Sequence, residues 1–160
     1  FEIIKGTGIS CIFVTHDAQD AISLAHKIAV LDQGKVVQMG TPKSLFDQPF
    51  TPAIARFFGE INIFNQEEFQ HFEIKMEKAD FYGIRPEHIT CSLTPMKNSH
   101  AAVIMRGTFH GLWRKYRIKL SSQIELDIIV AAQAAIENKE VFITLPTEHV
   151  LAFHKKIDKV

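Results

Sequence analysis

Cysteine is almost absent from this sequence, and so is any long apolar run. The 160 residues include two cysteines, Cys11 and Cys91, which lie far apart and form no C-x-x-C pair. This spacing excludes a disulfide scaffold and a cysteine zinc site, and it favours a reducing compartment such as the cytoplasm. The longest largely apolar stretch, residues 128–136, is interrupted by Gln133 and is shorter than the ~18 residues that span a bilayer. The sequence therefore predicts a chain that does not itself cross a membrane. Because residue 1 is Phe, we interpret the chain as a piece of a longer protein.

Neither sign of charge is in excess. The sequence has 18 Lys and Arg against 18 Asp and Glu. Nucleic-acid binders usually carry a basic excess that displaces counterions from phosphates, so a nucleic-acid partner is disfavoured. With 46% hydrophobic and 22% charged residues, the composition is that of a globular protein and excludes disorder, collagen and a coiled coil.

The charges are distributed unevenly along the chain. Residues 1–59 hold five cations and five anions, residues 60–80 hold two cations against six anions, and residues 101–160 hold nine cations against six anions. A shift of this kind separates unlike segments. The sequence predicts two units, residues 1–59 and residues 60–160, with a boundary near Gly59.

The first unit has the order of elements of an α/β fold. The run Ile9–Val14 predicts a strand that is buried on both faces in a parallel sheet. Asp17 is placed as the N-cap of a helix whose apolar residues recur at helical spacing over Ala18–Ala29. A strand, a polar turn and a helix therefore follow one another.

A hairpin and two short helices complete the first unit. Gly34 can take the positive φ that a two-residue turn needs between strands Ile28–Asp32 and Lys35–Met39. Thr41-Pro42 predicts a capped helix start, and a second helix is predicted over Pro52–Phe58.

The second unit has a period of two, which predicts strands. Apolar residues alternate with charged ones over Phe72–Met76, over Tyr116–Leu120 and over Ile124–Ile128. The last two segments flank a short polar turn, and pairing Leu120 with Ile124 aligns their apolar faces. A short helical crossing over residues 131–138 and strands over residues 141–145 and 150–153 complete an all-β, OB-like barrel.

The hairpin register pairs opposite charges on the solvent face. Lys119 faces Glu125 and Arg117 faces Asp127, which favours a charge-paired surface over an anion or nucleic-acid site. Phe109 and Trp113 could stack on a base in such a barrel, but aromatic residues at these positions are more often core, and we predict core burial.

Two motifs carry a resemblance to a known family. Phe13–Asp17, which reads Phe-Val-Thr-His-Asp, and the helix and hairpin after it resemble the end of an ATP-binding-cassette (ABC) ATPase. Gly83–Ile89, which reads Gly-Ile-Arg-Pro-Glu-His-Ile, resembles the opening of the transport-associated OB (TOBE) domain. That domain follows the ATPase in importers of the maltose, polyamine and ferric-iron type. The two motifs occur in the family's order and are joined by residues 57–62.

The resemblance implies a catalytic and nucleotide-binding role for His16. In such ATPases the switch histidine reaches the γ-phosphate of ATP, and the parent protein uses ATP and Mg²⁺. Chemistry alone leaves two interpretations of His16 open, a structural hydrogen bonder or a phosphate ligand. The sequence contains no G-x-x-x-x-G-K-[ST] loop. We therefore expect this chain alone to bind no nucleotide and to hydrolyse no ATP.

Arg85, Glu87 and His88 are the candidate regulatory or interaction residues of the second unit. The same side chains could instead brace the barrel, and we favour bracing. The histidines show no metal-ligand spacing, so no metal site is predicted.

The resemblance implies that the chain is the C-terminal part of the ATP-binding subunit of an importer. It also implies that the β-rich half of the chain regulates this subunit and helps two subunits to dimerise. Permease subunits and a second copy are the expected partners, and the expected location is the cytoplasmic face of the membrane, without direct insertion. A small-molecule module for oxyanions is the alternative. The transported solute, whether polyamine, iron, sugar or oxyanion, stays open.

Overall fold

Short helices and one β-hairpin occupy the first part of the chain, and antiparallel strands make up most of the rest. The structure is a computed structural model that describes residues 10–136 and 139–154. The helices of these residues are α1 (Ala18–Leu24), α2 (Pro42–Asp47), α3 (Pro52–Phe58) and α4 (Gln66–Gln70). The strands are β1 (Ile28–Asp32), β2 (Lys35–Gly40), β3 (Asn62–Asn65), β4 (Phe81–Ile84), β5 (Thr90–Ser92), β6 (His100–Phe109), β7 (Trp113–Leu120), β8 (Glu125–Ala131), β9 (Glu140–Thr144) and β10 (Leu151–Phe153). Single 3₁₀ turns cover Pro86–His88, Ala132–Ala134 and Thr147–His149.

The strands form three sheets in which every described pair is antiparallel. β1 and β2 form a separate hairpin, β4 lies between β10 and β3, and the largest sheet has the order β5-β9-β6-β7-β8. The curled antiparallel sheet agrees with the OB-like barrel predicted for the second unit.

The β7–β8 hairpin confirms the predicted register. Ile118 pairs with Leu126 and Lys119 with Glu125, and the Leu120 amide donates to the Ile124 carbonyl at 2.9 Å. The ion pairs differ in one respect, because Glu125 lies against Arg117 at 3.4 Å rather than against Lys119.

One hydrophobic core lies under the β-rich part. Its completely buried members come from β4, β7, β8 and β9: Ile84, Ile118, Leu126, Ile128, Val141 and Ile143. A smaller cluster of Leu45, Ile54 and Phe58 holds α2 and α3 together in the first part. The two clusters are separate, and residues 59–63 run between them.

The helix starts and the first hairpin follow the sequence signals. The Asp17 carboxylate accepts from the amides of residues 19 and 20, and the Thr41 hydroxyl accepts from the Ser44 amide. β1 and β2 pair around Gln33 and Gly34, which both have positive φ. These predictions are confirmed.

The predicted parallel strand at Ile9–Val14 is wrong for residues 10–14, and Ile9 lies outside the described residues. Residues 10–14 form no strand, and Ile12 is 95% exposed. A parallel strand obtains its hydrogen bonds and its burial from neighbours, and none of the described residues pairs with this segment. An α/β architecture is accordingly not evident in the first unit.

Three further boundaries differ from the prediction. The first helix ends at Leu24 instead of Ala29, because Ile28 pairs with Gly40 in the hairpin. Phe72–Met76 forms no strand, although its apolar side chains pack on the core as alternation predicts. The helical crossing of residues 131–138 is a single 3₁₀ turn, Ala132–Ala134, and residues 137 and 138 lie outside the described part.

Candidate functional site

His16 lies directly before α1 and is exposed. Its neighbours are engaged in starting the helix, because the Asp17 amide donates to the Thr15 hydroxyl at 3.0 Å and the Asp17 carboxylate caps α1. No hydrogen bond of the described residues holds the His16 imidazole. The sequence supplies no G-x-x-x-x-G-K-[ST] loop to hold phosphates beside it, so the described residues around His16 do not fit ATP by themselves.

The Gly83–Ile89 motif begins in the central strand of the three-stranded sheet. A Cβ atom on Gly83 would lie 2.8 Å from Ile61 Cδ1 and 2.9 Å from a Phe153 ring carbon. Real Cβ atoms do not come this close, so only glycine lets the side chains of both neighbouring segments close over β4. The motif therefore starts with a packing requirement.

Arg85 is the most deeply buried ionisable residue of the motif. Its side chain is buried, with 2% of the residue exposed, and its guanidinium lies 3.6 Å from the centre of the Phe46 ring. Nη1 donates to the Glu60 carbonyl at 3.2 Å, and Nη2 donates to the Phe46 carbonyl at 2.9 Å. Burial lowers the pKa of Arg85, and the charges of Glu87 and Asp47 offset part of that effect. Arg85 thus joins the motif to α2 and to the connecting segment.

The connecting segment is fixed from two sides. A Cβ on Gly59 would lie 2.9 Å from Arg85 Nη1, so the glycine leaves room for the guanidinium. The Glu60 carboxylate pairs with Lys115, which also lies 3.3 Å from Asp127. Burial alone would lower the pKa of Lys115, but the hydrogen bonds to both carboxylates raise it.

Asn62 adds a third link, between β3 and β8. Its Nδ2 donates to the Asp127 carbonyl and its Oδ1 accepts from the Asp127 amide, both at 2.8 Å. The side chain thereby satisfies both main-chain groups of one edge-strand residue, as a neighbouring strand would.

His88 stacks on a histidine that the sequence analysis did not single out. The rings of His88 and His149 are 4.1 Å apart and 25° from parallel. Burial lowers the pKa of His88, and the charges of His149 and Arg85 add to this, while Glu87 and Asp47 act in the opposite direction. Glu87 itself is exposed.

The signal that could have identified His149 is a local repeat. Pro86–Ile89 reads Pro-Glu-His-Ile and Thr147–Val150 reads Thr-Glu-His-Val. Each forms a 3₁₀ turn, and each is closed by a bond from the residue after histidine. No comparable sequence repeat or motif indicates that Phe46 holds Arg85.

The predicted core burial of the aromatic pair is wrong for Phe109, which is 59% exposed. Trp113 is half-buried and stacks on His110 at 4.0 Å. These residues lie at the end of the β6–β7 hairpin, beyond the part that packs on the core.

Two open pockets occur in the described residues, of about 450 Å³ and about 240 Å³. Carboxylates line both: Glu67, Glu68 and Glu125 in the larger, Glu60 and Asp127 in the smaller. Arg56 and Lys115 also line the smaller pocket and balance its two carboxylates, and His71 lines the larger one, so neither pocket has the excess of cations that an anion site needs. No group of three or more His, Cys, Asp or Glu side chains within residues 10–136 and 139–154 is arranged to hold a metal ion. In that same part of the chain, none of the helices has the length and apolar character to span a membrane.

Residues 82–153, which contain the Arg85 and His88 turn and the large sheet, match the family described as TOBE domain. The chain carries a TOBE domain. The resemblance predicted from Gly83–Ile89 is confirmed. Arg85 therefore connects the TOBE domain to a segment that precedes it, since Phe46 and Glu60 lie outside the matched residues.

Similar proteins extend the match to the N-terminal side of the TOBE domain. The spermidine/putrescine import ATP-binding protein PotA of Trichormus variabilis is 29% identical over 150 residues, which cover 78% of this chain and 39% of that protein. PotA of Borrelia garinii subsp. bavariensis is 29% identical over 170 residues, covering 97% of this chain and 48% of its own. The sulfate/thiosulfate import ATP-binding protein CysA of Nephroselmis olivacea is 29% identical over 116 residues, covering 72% and 31%.

The chain spans less than half the length of these relatives. All three are named as import ATP-binding proteins, and the resemblance to the ATP-binding subunits of ABC importers is thereby confirmed.

Proposed function

We propose that this chain is the C-terminal part of the ATP-binding subunit of an ABC importer, and that its TOBE domain regulates that subunit. Residues 1–59 are then the end of the ATPase domain, and residues 60–160 are the regulatory domain. The match of residues 82–153 and the names of the relatives support this division.

The observation that carries the regulatory role is the position of Arg85. A buried cation that donates to two main-chain carbonyls of the preceding segment transmits displacement of that segment to the β-rich domain. Breaking either bond would leave a buried polar group without a partner, which costs about 1–3 kcal/mol. The junction is therefore suited to couple the two units rather than to let them move freely.

Exposed apolar side chains in the first unit support its origin in a larger domain. Ile12 and Val14 before α1, and Leu31, Val36 and Met39 in the hairpin, are exposed. A domain with its own complete core rarely leaves so many large apolar groups in water. In the proposed parent protein, the remainder of the ATPase domain covers them.

His16 is the proposed catalytic and nucleotide-binding residue of the parent protein. An exposed imidazole before a helix can donate to a phosphoryl oxygen. The phosphates and Mg²⁺ would be held by residues outside this sequence, so the chain alone is proposed to be inactive.

Permease subunits and a second copy of the chain are the proposed partners, at the cytoplasmic face of the membrane. Some relatives are named for the import of spermidine and putrescine and others for the import of sulfate and thiosulfate. We therefore propose no single class of transported solute. The alternative of an oxyanion-binding module is not favoured, because the larger pocket is lined by three carboxylates and the cations of the smaller pocket are balanced by Glu60 and Asp127.

A chimera tests the proposal. This chain replaces the aligned C-terminal part of PotA from Trichormus variabilis, and ATP hydrolysis and spermidine uptake are measured with the permease of that system. We expect both activities to be retained and His16→Ala to lower kcat by about 100-fold, as loss of one donor to a transition-state oxygen does.

His26→Ala is the matched control, because His26 is also exposed and lies just after α1. It should leave kcat unchanged. A folded chimera without ATP hydrolysis, or equal rates for His16→Ala and the parent chimera, would contradict the proposal.

A further inference from the structure

The side chains on either side of His16 are both bound to main-chain amides. Asp17 Oδ1 accepts from the Gln19 amide at 2.7 Å and from the Asp20 amide at 3.2 Å, which makes Asp17 the N-cap of α1. The Thr15 hydroxyl accepts from the Asp17 amide at 3.0 Å. His16 is therefore the central residue of a turn that is closed by a hydroxyl and that runs directly into a capped helix.

The helix that Asp17 caps is fixed to the rest of the first unit. Ala18 and Ile22 pack against the smaller hydrophobic cluster, which α2 and α3 supply. Ala21 is buried, and its amide donates to the Asp17 carbonyl at 3.2 Å. A displacement of the start of α1 would disturb this packing, so the cap ties residue 17 to an element that is itself held.

The Asp17 carboxylate acts on the main chain and not on the imidazole. Both of its bonds go to amides that follow it in sequence, and no hydrogen bond from residues 10–136 or 139–154 reaches the His16 ring. When the main chain is held on both sides, the imidazole keeps only the two torsions of its own side chain. Loss of the cap would also free the main-chain torsions at residues 16 and 17.

These bonds are local to residues 15–20. None of them involves residues 10–14, so they form whether or not that segment has neighbouring strands. Capping depends on the residue type at the N-cap and on the first turn of the helix. We therefore expect the same geometry beside His16 in the larger domain from which the first unit is proposed to come.

We propose that Asp17, assisted by Thr15, is the positioning residue of His16 and holds the imidazole where it can donate to a phosphoryl oxygen. Asp17 does this by capping α1, and neither its charge nor a contact with the substrate is required. The inference rests on the role of His16 in the proposed function and adds the residue on which that role depends. Displacement of a reacting group by about 1 Å can cost about 100-fold in rate, so a free turn would remove much of what His16 contributes.

Direct orientation of the imidazole by the charge of Asp17 is the rival explanation, and two substitutions separate it from capping. Asn caps a helix as well as Asp does but carries no charge. Glu keeps the charge but is not among the residues that cap well. Capping therefore predicts that Asp17→Asn is tolerated and Asp17→Glu is not, whereas direct orientation by charge requires that Asp17→Asn is impaired.

The chimera with PotA from Trichormus variabilis measures the effect on ATP hydrolysis. Asp17→Ala and Asp17→Glu should each lower kcat about tenfold or more, whereas Asp17→Asn should stay within about twofold of the parent chimera. In the His16→Ala background, Asp17→Ala should change kcat by less than about twofold, because no imidazole is left to be positioned.

NMR relaxation of the chain itself, without nucleotide, measures the positioning directly. The ¹⁵N order parameter of the His16 amide should be about 0.85 in the original chain and in Asp17→Asn, and it should fall to about 0.6 or below in Asp17→Ala. The amide signals of Gln19 and Asp20 show whether the cap has been lost. This measurement does not depend on the activity of the chimera.

Thr41→Ala is the matched control, because Thr41 is an exposed N-cap of α2 and accepts from the Ser44 amide at 3.1 Å. It should lower the Tm of the chain about as much as Asp17→Ala does and leave kcat of the chimera within about twofold. If Asp17→Ala does not fold, Thr15→Val takes its place, because it removes only the hydroxyl bond to the Asp17 amide. Thr15→Val should lower kcat about threefold or more, and Thr15→Ser should not.

Four results would overturn the inference. Equal kcat for Asp17→Ala and the parent chimera, while His16→Ala still lowers kcat, would reject the positioning role and leave the proposed function intact. An unchanged order parameter of the His16 amide in Asp17→Ala would reject the hold on the turn. A low kcat for Asp17→Asn with an unchanged order parameter would assign the effect to the charge of Asp17. A chimera whose hydrolysis does not depend on His16 would reject the positioning role together with the proposed role of His16.

Discussion

Replacing Arg85 by Met tests whether the TOBE domain is held to the preceding segment as the geometry indicates. Methionine keeps an unbranched apolar stem but removes the guanidinium, so the carbonyls of Phe46 and Glu60 lose their donors. Each part-buried acceptor left unpaired costs about 1–2 kcal/mol, and loss of the contact with the Phe46 ring costs about 1 kcal/mol. Relief from burying a cation offsets part of this. We expect a net loss of about 2–4 kcal/mol in the free energy of unfolding.

Urea unfolding of the chain measures this loss. Trp113 fluorescence and far-UV circular dichroism follow the transition, and linear extrapolation gives the free energy. In a thermal scan the same loss lowers Tm by about 8 °C for a chain of this size. Arg85→Lys should lie between the original chain and Arg85→Met, because an ammonium keeps the charge but does not reach both carbonyls while covering the ring.

Arg56→Met is the control. Arg56 is exposed on α3 and has no hydrogen bond or ion pair within the described residues, so its loss should change the free energy of unfolding by less than about 0.5 kcal/mol. If Arg85→Met costs no more than Arg56→Met, water satisfies both carbonyls and Arg85 does not hold the junction.

Two other sets of changes probe the connecting segment, and a third probes the His88 turn. Gly59→Ala should lower the free energy of urea unfolding by about 1–3 kcal/mol, because its Cβ would crowd the Arg85 guanidinium. In the Arg85→Met background the same substitution should cost less. If the two losses in free energy simply add in the double variant, the contact between residues 59 and 85 is rejected. Asn62→Ala should lower the free energy of unfolding by about 2–3 kcal/mol. Asn62→Asp should also be destabilised, because a carboxylate cannot donate to the Asp127 carbonyl. An Asn62→Asp variant as stable as the original chain would refute this. Burial lowers the pKa of His88 in the folded chain. As the pH falls below about 6.5, His88 of the unfolded chain therefore binds a proton before His88 of the folded chain does. The free energy of unfolding decreases over this pH range and becomes constant again below the lowered pKa of the folded chain. The fall in Tm between about pH 7.5 and pH 5.5 should therefore be smaller in His88→Gln, and an equal fall in both proteins would contradict it.

Local signals predicted the elements whose partners are adjacent in sequence. The β7–β8 register follows from turn length, alternation and opposite charges within one short segment, and all three select the same pairing. The caps at Asp17 and Thr41 are equally local, because the side chain bonds to amides two or three residues later.

Elements that depend on distant partners were predicted poorly. Residues 10–14 have the composition of a buried strand, but composition cannot supply the neighbouring strands. Phe72–Met76 alternates correctly between core and solvent without pairing in a sheet, because alternation reports burial and not hydrogen bonding. Phe109 has the residue type of a core position, but it lies on the part of the hairpin that extends past the core.

In the candidate site, too, the residues of a local motif were predictable and their contacts with distant residues were not. The Gly83–Ile89 motif identified Arg85 and His88, since a short string carries it. Their contacts were not predictable, because Phe46 lies 39 residues from Arg85 in sequence and His149 lies on another turn of the barrel. Only the Thr-Glu-His-Val repeat at residues 147–150 gives a local indication of the second histidine.

The chemistry of the Arg85 acceptors determines what can disturb the junction. Phe46 lies in the last turn of α2, where helix carbonyls have no partner within the helix, and a cation is favoured there by the helix dipole. Arg85 thus caps α2 from within the TOBE domain, and its second acceptor is the main chain of the connecting segment. Because both acceptors are carbonyls, substitution of the Glu60 side chain cannot remove them, whereas rotation of α2 or extension of the connecting segment would. Such a movement would leave a buried guanidinium without acceptors, so the junction favours one arrangement until the whole side chain is released. A signal that moves α2 must therefore either carry the TOBE domain with it or break both bonds together.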